Sequence, residues 1–219
     1  MADIHYLDEP LETEGLLELL CPPVRNWFKD KFPDFTEPQK LAIPAIMDQE
    51  HLLLCSPTGS GKTLTAFLTI IDQLVRRALD NKLDKRVYCV YISPIKALAN
   101  DIQRNLIGPL TEISETYLPS RAQEIRVGLR TGDTPQSERQ KMLRNPPHIL
   151  ITTPESLAIA ITSPRFQPIV SEVEYMIVDE LHSLVPTKRG VHLALTLSYL
   201  DTLLNRPVQR IGISATMEP

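Results

Sequence analysis

From Glu37 onward, short apolar runs alternate with longer segments of helical period. The runs are His51–Cys55, Val87–Ile92, Ile125–Leu129, His148–Thr152, Tyr175–Val178 and Val208–Ile213. Near-continuous apolar character over so few residues predicts strands covered on both faces. Between them the spacing predicts helices near residues 38–48, 62–79, 95–107, 135–144, 154–161 and 190–204. Such alternation implies an α/β fold, a mostly parallel sheet with helices on both faces. Sheets of this kind bind ligands at the carboxyl ends of their strands, so the loops after the strands hold the candidate chemistry. Residues 1–36 break the pattern and read as an N-terminal helical appendage, with residues 37–219 as the main domain. The appendage has an apolar cluster from Leu16 to Leu20, then Pro22-Pro23, then Trp27, Phe28, Phe32 and Phe35. Core packing is expected of Trp27, Phe28 and Phe32, ahead of stacking on a base.

Composition adds exclusions. The chain has 219 residues, 42% apolar and 23% charged, ordinary usage for a globular domain with a sizeable core. No apolar run approaches the ~18 residues of a membrane span, so no membrane partner is expected. Residues 1–10 carry acids and no Lys or Arg, unlike a signal or transit peptide. Cys21, Cys55 and Cys89 form no CxxC pair, and an intracellular, reducing setting is expected. The net charge of −4 argues against a polyanion partner, but its distribution softens that. Residues 1–51 hold 4 basic and 11 acidic groups, whereas residues 82–145 hold 11 basic and 7 acidic. A polyanion would be met by the middle of the chain.

The loop after the first run is specific. Leu52-Leu53-Leu54-Cys55 leads into Ser56-Pro57-Thr58-Gly59-Ser60-Gly61-Lys62-Thr63, and a helix follows. This is the P-loop pattern with Ser56 where the leading Gly usually stands. Gly59 and Gly61 allow the turn that points successive N–H groups at phosphate oxygens. The helix opening at Lys62 adds its dipole, Lys62 adds a charge for the β- and γ-phosphates, and Thr63 offers a hydroxyl to Mg²⁺. After the fifth run, Tyr175-Met176-Ile177-Val178 ends in Asp179-Glu180-Leu181-His182, an apolar strand ending in a metal-binding Asp. Glu180 would orient or deprotonate a water. Successive strand residues point to opposite faces, so both carboxylates reach one site only if Asp-Glu sits where the strand breaks off.

With these motifs in place the chain resembles the first motor domain of superfamily 2 helicases, of the DExH type. Phe35-Thr36-Glu37-Pro38-Gln39 resembles the Q-motif, whose glutamine, here Gln39, reads the adenine edge. Ser93-Pro94-Ile95-Lys96-Ala97-Leu98-Ala99 resembles motif Ia, Arg130-Thr131-Gly132-Asp133-Thr134 the Thr-Gly motif, and Thr152-Thr153-Pro154-Glu155 motif Ib. Ser214-Ala215-Thr216 matches motif III, which couples nucleotide state to nucleic-acid grip. Together with Lys188-Arg189-Gly190-Val191-His192-Leu193-Ala194-Leu195, these segments are most similar to the large helicase-related (Lhr) family.

The resemblance implies a RecA-like P-loop NTPase domain that uses ATP and Mg²⁺. It implies nucleotide contacts from Gln39 and Ser56 to Thr63, metal contacts from Thr63 and Asp179, and catalytic roles for Lys62, Asp179 and Glu180. His182 would couple to Ser214, Ala215 and Thr216, sensing the γ-phosphate. Pro94, Lys96, Arg130, Thr131, Gly132, Thr153 and Pro154 would line a DNA or RNA phosphate track, while helix capping is the competing role of the threonines. Arg189 is expected to face the same side. Motifs IV to VI, and the second RecA-like domain that carries them, are not in these residues. The sequence therefore reads as part of a longer motor, monomeric in isolation and nearly inactive alone.

Competing readings remain. Asn81-Lys82-Leu83-Asp84 matches a guanine-reading pattern but follows the wrong strand. A P-loop kinase for a small molecule would need a basic lid, for which residues 121–144 are the candidate stretch. A nucleotide-binding module without turnover is disfavoured by the intact Lys62, Thr63, Asp179 and Glu180. His148, His182 and His192 have no zinc-ligand spacing.

Overall fold

A computed structural model describes residues 4–57, 59–94, 99–204 and 208–215. Six parallel strands form one sheet: β1 (Leu52–Cys55), β2 (Cys89–Ile92), β3 (Val127–Arg130), β4 (Ile149–Thr152), β5 (Tyr175–Val178) and β6 (Gln209–Ser214). Their order is β1-β6-β5-β2-β4-β3, the expected α/β architecture. Period-two alternation divides the sheet between two cores. Tyr91, Ile151, Ile177 and Ile213 face one helical layer, while Val90, Ile92, Leu150, Met176 and Val178 face the other.

The first layer contains α1 (Thr13–Leu19), α2 (Pro22–Lys31), α3 (Glu37–Met47) and α4 (Lys62–Leu79). The segment expected as an appendage shares this core from Leu16 on, since Leu16, Leu20, Val24, Trp27 and Phe28 pack in one cluster with α4. A buried carboxylate fixes the joint: Asp72 of α4 accepts from the Cys21 N–H at 2.6 Å and pairs with Arg76. Trp27 and Phe28 are buried as expected, but Phe32 is 36% exposed.

The same layer holds a helical stretch that runs past residue 107, the expected end; residues 95–98 of that expected helix lie outside the described ones. It comprises α5 (Ala99–Ile102), a π-helical turn (Gln103–Ile107), α6 (Gly108–Glu112) and a second π-helical turn (Ile113–Tyr117). Gly108-Pro109 reads as a breaker in sequence. The π turn lets a new register begin at Gly108, so the missing N–H of Pro109 falls in a first turn, where it is not needed. Buried Leu106, Leu110 and Ile113 reward the continuation.

The second layer contains α8 (Pro154–Thr162), the short α9 (Gln167–Val170) and α10 (Leu181–Leu184), and α11 (Lys188–Leu204). Gly190 is where α11 crosses α10 closely; a Cβ there would lie 2.2 Å from the Leu184 carbonyl oxygen. The remaining helix, α7 (Gln136–Arg144), follows the edge strand β3. No helix among the described residues is long and apolar enough to cross a membrane.

Candidate functional site

Strand order assembles the site. β6 lies between β1 and β5, with Cys55 opposite Ser214 and Val178 opposite Gly212. The ends of three strands distant in sequence thus meet, and a cavity of about 700 Å³ opens above them. It is lined by Gln39, Gly59, Gly61, Lys62, Thr63, Asp179, Glu180, Ser214 and Ala215, among others. Asn81 to Asp84 are not among its lining residues.

The P-loop has the conformation its glycines permit. Gly59 and Gly61 both have φ +85°, a region costly for side chains bearing a Cβ. Gly61 is the N-cap of α4, which places Lys62 and Thr63 in the first turn. The Lys62 ammonium is folded back on the loop, donating to the Ser56 and Pro57 carbonyls. Ser56, in place of glycine, is buried and shares a hydrogen bond with the Ser60 hydroxyl.

Gln39 is 3% exposed and belongs to a capping box: its Oε1 accepts from the Thr36 N–H at 2.9 Å. Its amide packs against Gly61, where a Cβ would meet Nε2 at 3.1 Å. Thr36 donates its hydroxyl to the Ser60 carbonyl, tying the start of α3 to the phosphate loop. Phe32 lines the same cavity beside Gln39, so the ring expected in the core borders the candidate site instead.

The geometric problem of Asp179-Glu180 has a backbone solution. Asp179 follows Val178 by one residue and so falls on the face of Tyr91 and Ile177, toward the P-loop. Glu180 should then point to the opposite face, but it adopts φ +52°, ψ +39° and turns the chain into α10. A glutamate in the left-handed region is uncommon, and strain of this kind concentrates at working sites. Asp179 is 4% exposed, and burial pushes its carboxyl above the usual range. Its oxygens accept from the Tyr91 hydroxyl and, at 2.8 Å, from the Glu180 N–H.

His182 Nδ1 accepts from the Ala215 N–H at 3.1 Å and lies 3.2 Å from the Ser214 hydroxyl. An amide can only donate, so the ring hydrogen sits on Nε2, which faces Glu180 Oε2 at 3.1 Å. The expected contact of His182 with the Ser214-Ala215 segment is therefore present and extends to Glu180.

The ends of β2, β4 and β3 form a second region. Thr153 caps α8, accepting from the Ser156 N–H at 3.4 Å, with Pro154 in the first helical position. The Thr131–Thr134 turn is closed by the Thr134 hydroxyl, which accepts from the Thr131 N–H at 2.8 Å. A Cβ at Gly132 would meet nothing within 4 Å, so backbone is open to a ligand there.

Arg130 departs from its expected place on the track. It is 8% exposed, its guanidinium lies 4.2 Å from the centroid of the buried Phe166 ring, and burial lowers its pKa. Alternation explains this, because the inward-facing end of β3 carries its side chain to the core. Arg139, which sequence reasoning did not single out, donates to the Thr131, Gly132 and Thr134 carbonyls and holds the turn. Arg189 makes a two-pronged ion pair with Glu155 and donates to the Pro94 carbonyl at 3.1 Å, joining the β2 and β4 loops. Thr58, Lys96 and Thr216 lie outside the described residues.

Comparison with known proteins agrees with this geometry. Residues 36–219 match the model of the DEAD/DEAH box helicase family. The chain is 50% identical to the ATP-dependent helicase Lhr-Core of Methanocaldococcus jannaschii, an alignment spanning 100% of this chain and 26% of that protein. It superposes with a TM-score of 0.82 and 45% identity on the Mycobacterium smegmatis helicase Lhr bound to ssDNA and AMP-PNP, covering 93% of this chain and 26% of that one. The fold is shared with the DEAD-box helicase Mss116 at a TM-score of 0.78 and 22% identity, covering 98% of this chain and 43% of that one. The chain thus spans about a quarter of the length of each of these two Lhr chains.

Proposed function

The chain belongs to the DEAD/DEAH box helicase family, and from that membership we propose that it is the ATP-binding half of a motor that hydrolyses ATP to move on or unwind nucleic acid. The observation that carries this is the convergence of Lys62, Thr63, Asp179, Glu180 and the His182–Ser214 contact on one cavity. A metabolite kinase has no use for that last contact.

Mg²⁺ fits the donor set, because Thr63 and the buried Asp179 line one cavity and no basic side chain has a hydrogen bond to Asp179 among the described residues. Held by Thr63 and Asp179, the ion would supply positive charge against the charge that develops on the phosphates. The chain's own groups do the rest. The N–H groups of the Gly59–Thr63 turn and the dipole of α4 hold phosphate oxygens. Lys62 exchanges the Ser56 and Pro57 carbonyls for the β- and γ-phosphates. Glu180 orients the attacking water, and His182 holds Glu180 in register with Ser214 and Ala215. Gln39 and Phe32 border the cavity where a base would lie.

Nucleic acid meets the ends of β2, β4 and β3 through the N–H groups and hydroxyls of the 131–134 turn and the start of α8, contacts that carry no sequence information. A second RecA-like domain, supplied by a longer chain, closes over the cavity and adds the arginine that completes charge neutralisation; such a residue is worth ~10³–10⁵ in rate. The test is ATP hydrolysis by a chain carrying both domains. Stimulation by single-stranded nucleic acid supports the proposal, and stimulation by a small phosphate acceptor instead refutes it.

A further inference from the structure

Tyr91 is the side chain in direct contact with Asp179 that the proposed mechanism leaves without a role. It is fully buried on β2, and its hydroxyl donates to Asp179 Oδ2. Strand pairing fixes this contact. Tyr91 lies opposite Ile177, and the Asp179 N–H donates to the Ile92 carbonyl at 2.9 Å, so Tyr91 and Asp179 share the face toward the P-loop. The ring packs on Phe67 of α4, with centroids 4.9 Å apart. Phe67 is four residues after Thr63, on the same face of the helix and one turn along. The tyrosine therefore touches Asp179 directly and abuts the helix turn beneath Thr63. A phenylalanine would fill the same space; only the hydroxyl has business with the carboxylate.

We propose that Tyr91 is a positioning residue for the cation: its hydroxyl fixes the rotamer of Asp179, so that Asp179 and Thr63 face one divalent ion. This rests on the nucleotide-site reading above. Partners that orient a metal-binding carboxylate typically change metal affinity or activity 10–100-fold when lost. The anion-binding N–H groups and Lys62 do not pass through Tyr91, so affinity for nucleotide without metal should be untouched.

The test titrates Mg²⁺ against binding of a fluorescent ADP to the 219-residue chain, with a parallel measurement in EDTA. Tyr91→Phe should raise the Mg²⁺ concentration at half-maximal enhancement by about tenfold or more, with affinity in EDTA unchanged and the chain still folded at the assay temperature. Phe67→Leu disturbs the packing of the ring and keeps the hydroxyl; its Mg²⁺ midpoint should move far less. An unchanged midpoint in Tyr91→Phe overturns the proposal, as does equal loss of affinity with and without Mg²⁺, or a midpoint in Phe67→Leu shifted as far. Wild-type binding that is indifferent to Mg²⁺ overturns the cation site, and wild-type chain that binds no nucleotide overturns the nucleotide-site reading itself.

Discussion

The ends of β1, β6 and β5 and the ends of β2, β4 and β3 are built in opposite ways. At the first, polar side chains are aimed into a cavity and their present partners are exchangeable. Lys62 rests on loop carbonyls, and Asp179 meets a hydroxyl and an amide. At the second, the arginines are already committed to the protein: Arg130 to Phe166, Arg139 to the 131–134 turn, Arg189 to Glu155 and Pro94. The first region can act on a ligand through side-chain chemistry. Among the described residues, the second offers open backbone around Gly132, suited to a repeating phosphate backbone of any sequence.

The largest effect should come from the first region. Glu180→Gln, in a chain with both motor domains, should lower kcat by ~10²–10⁴ while ATP affinity stays near wild type. Steady-state hydrolysis and equilibrium nucleotide binding separate the two quantities. Near-normal turnover would remove Glu180 from the reaction and blur the contrast between the regions.

The second region makes a smaller and differently shaped prediction. A few phosphate contacts by this half alone give a salt dependence of roughly 0.7–0.9 log units per contact. Arg189→Ala should weaken single-stranded nucleic-acid binding by releasing the β2 and β4 loops, yet leave that slope unchanged. A slope shallower by about one unit would instead make Arg189 a direct phosphate ligand. Binding titrations across a salt series read both quantities.

The smallest effect lies away from both regions. His148, 1% exposed, sits just before β4, where burial and the nearby Arg126 push its pKa down to about 4. The folded state prefers the neutral ring, so this contribution to stability is complete above pH 6.5 and is lost as pH falls toward 4. At pH 5 the loss is about 2 kcal/mol. Denaturant unfolding at pH 7 and pH 5 should show it, and His148→Asn should flatten the difference. A pH response equal in the variant assigns the acid sensitivity elsewhere.

The same contrast explains what was legible in the sequence. The strands, their parallel arrangement and the cavity motifs were readable because buried strands need apolar runs and a phosphate loop needs Gly59 and Gly61 at fixed spacing. The helix past Gly108-Pro109 was not, because a π turn rescued a pattern that normally ends helices. Arg130 was misplaced for a different reason: motif membership says which loop a residue belongs to, while strand parity decides where its side chain goes. Parity could have found Tyr91, two residues before Ser93 on the face Asp179 shares. The left-handed turn at Glu180 had no sequence signal beyond the need for two carboxylates in one place. Phe32 was hidden among aromatics that do pack in the core.

The central claim is that the Ser56–Thr63 turn is the phosphate seat of a nucleotide site. Calorimetric titration of ATP with Mg²⁺ into the wild-type chain and into Lys62→Ala tests it directly. Wild type should bind, and the variant should lose about a hundredfold in affinity, on the order of 2.7 kcal/mol, with its melting temperature retained. An equal affinity for ATP in the folded variant would contradict the account.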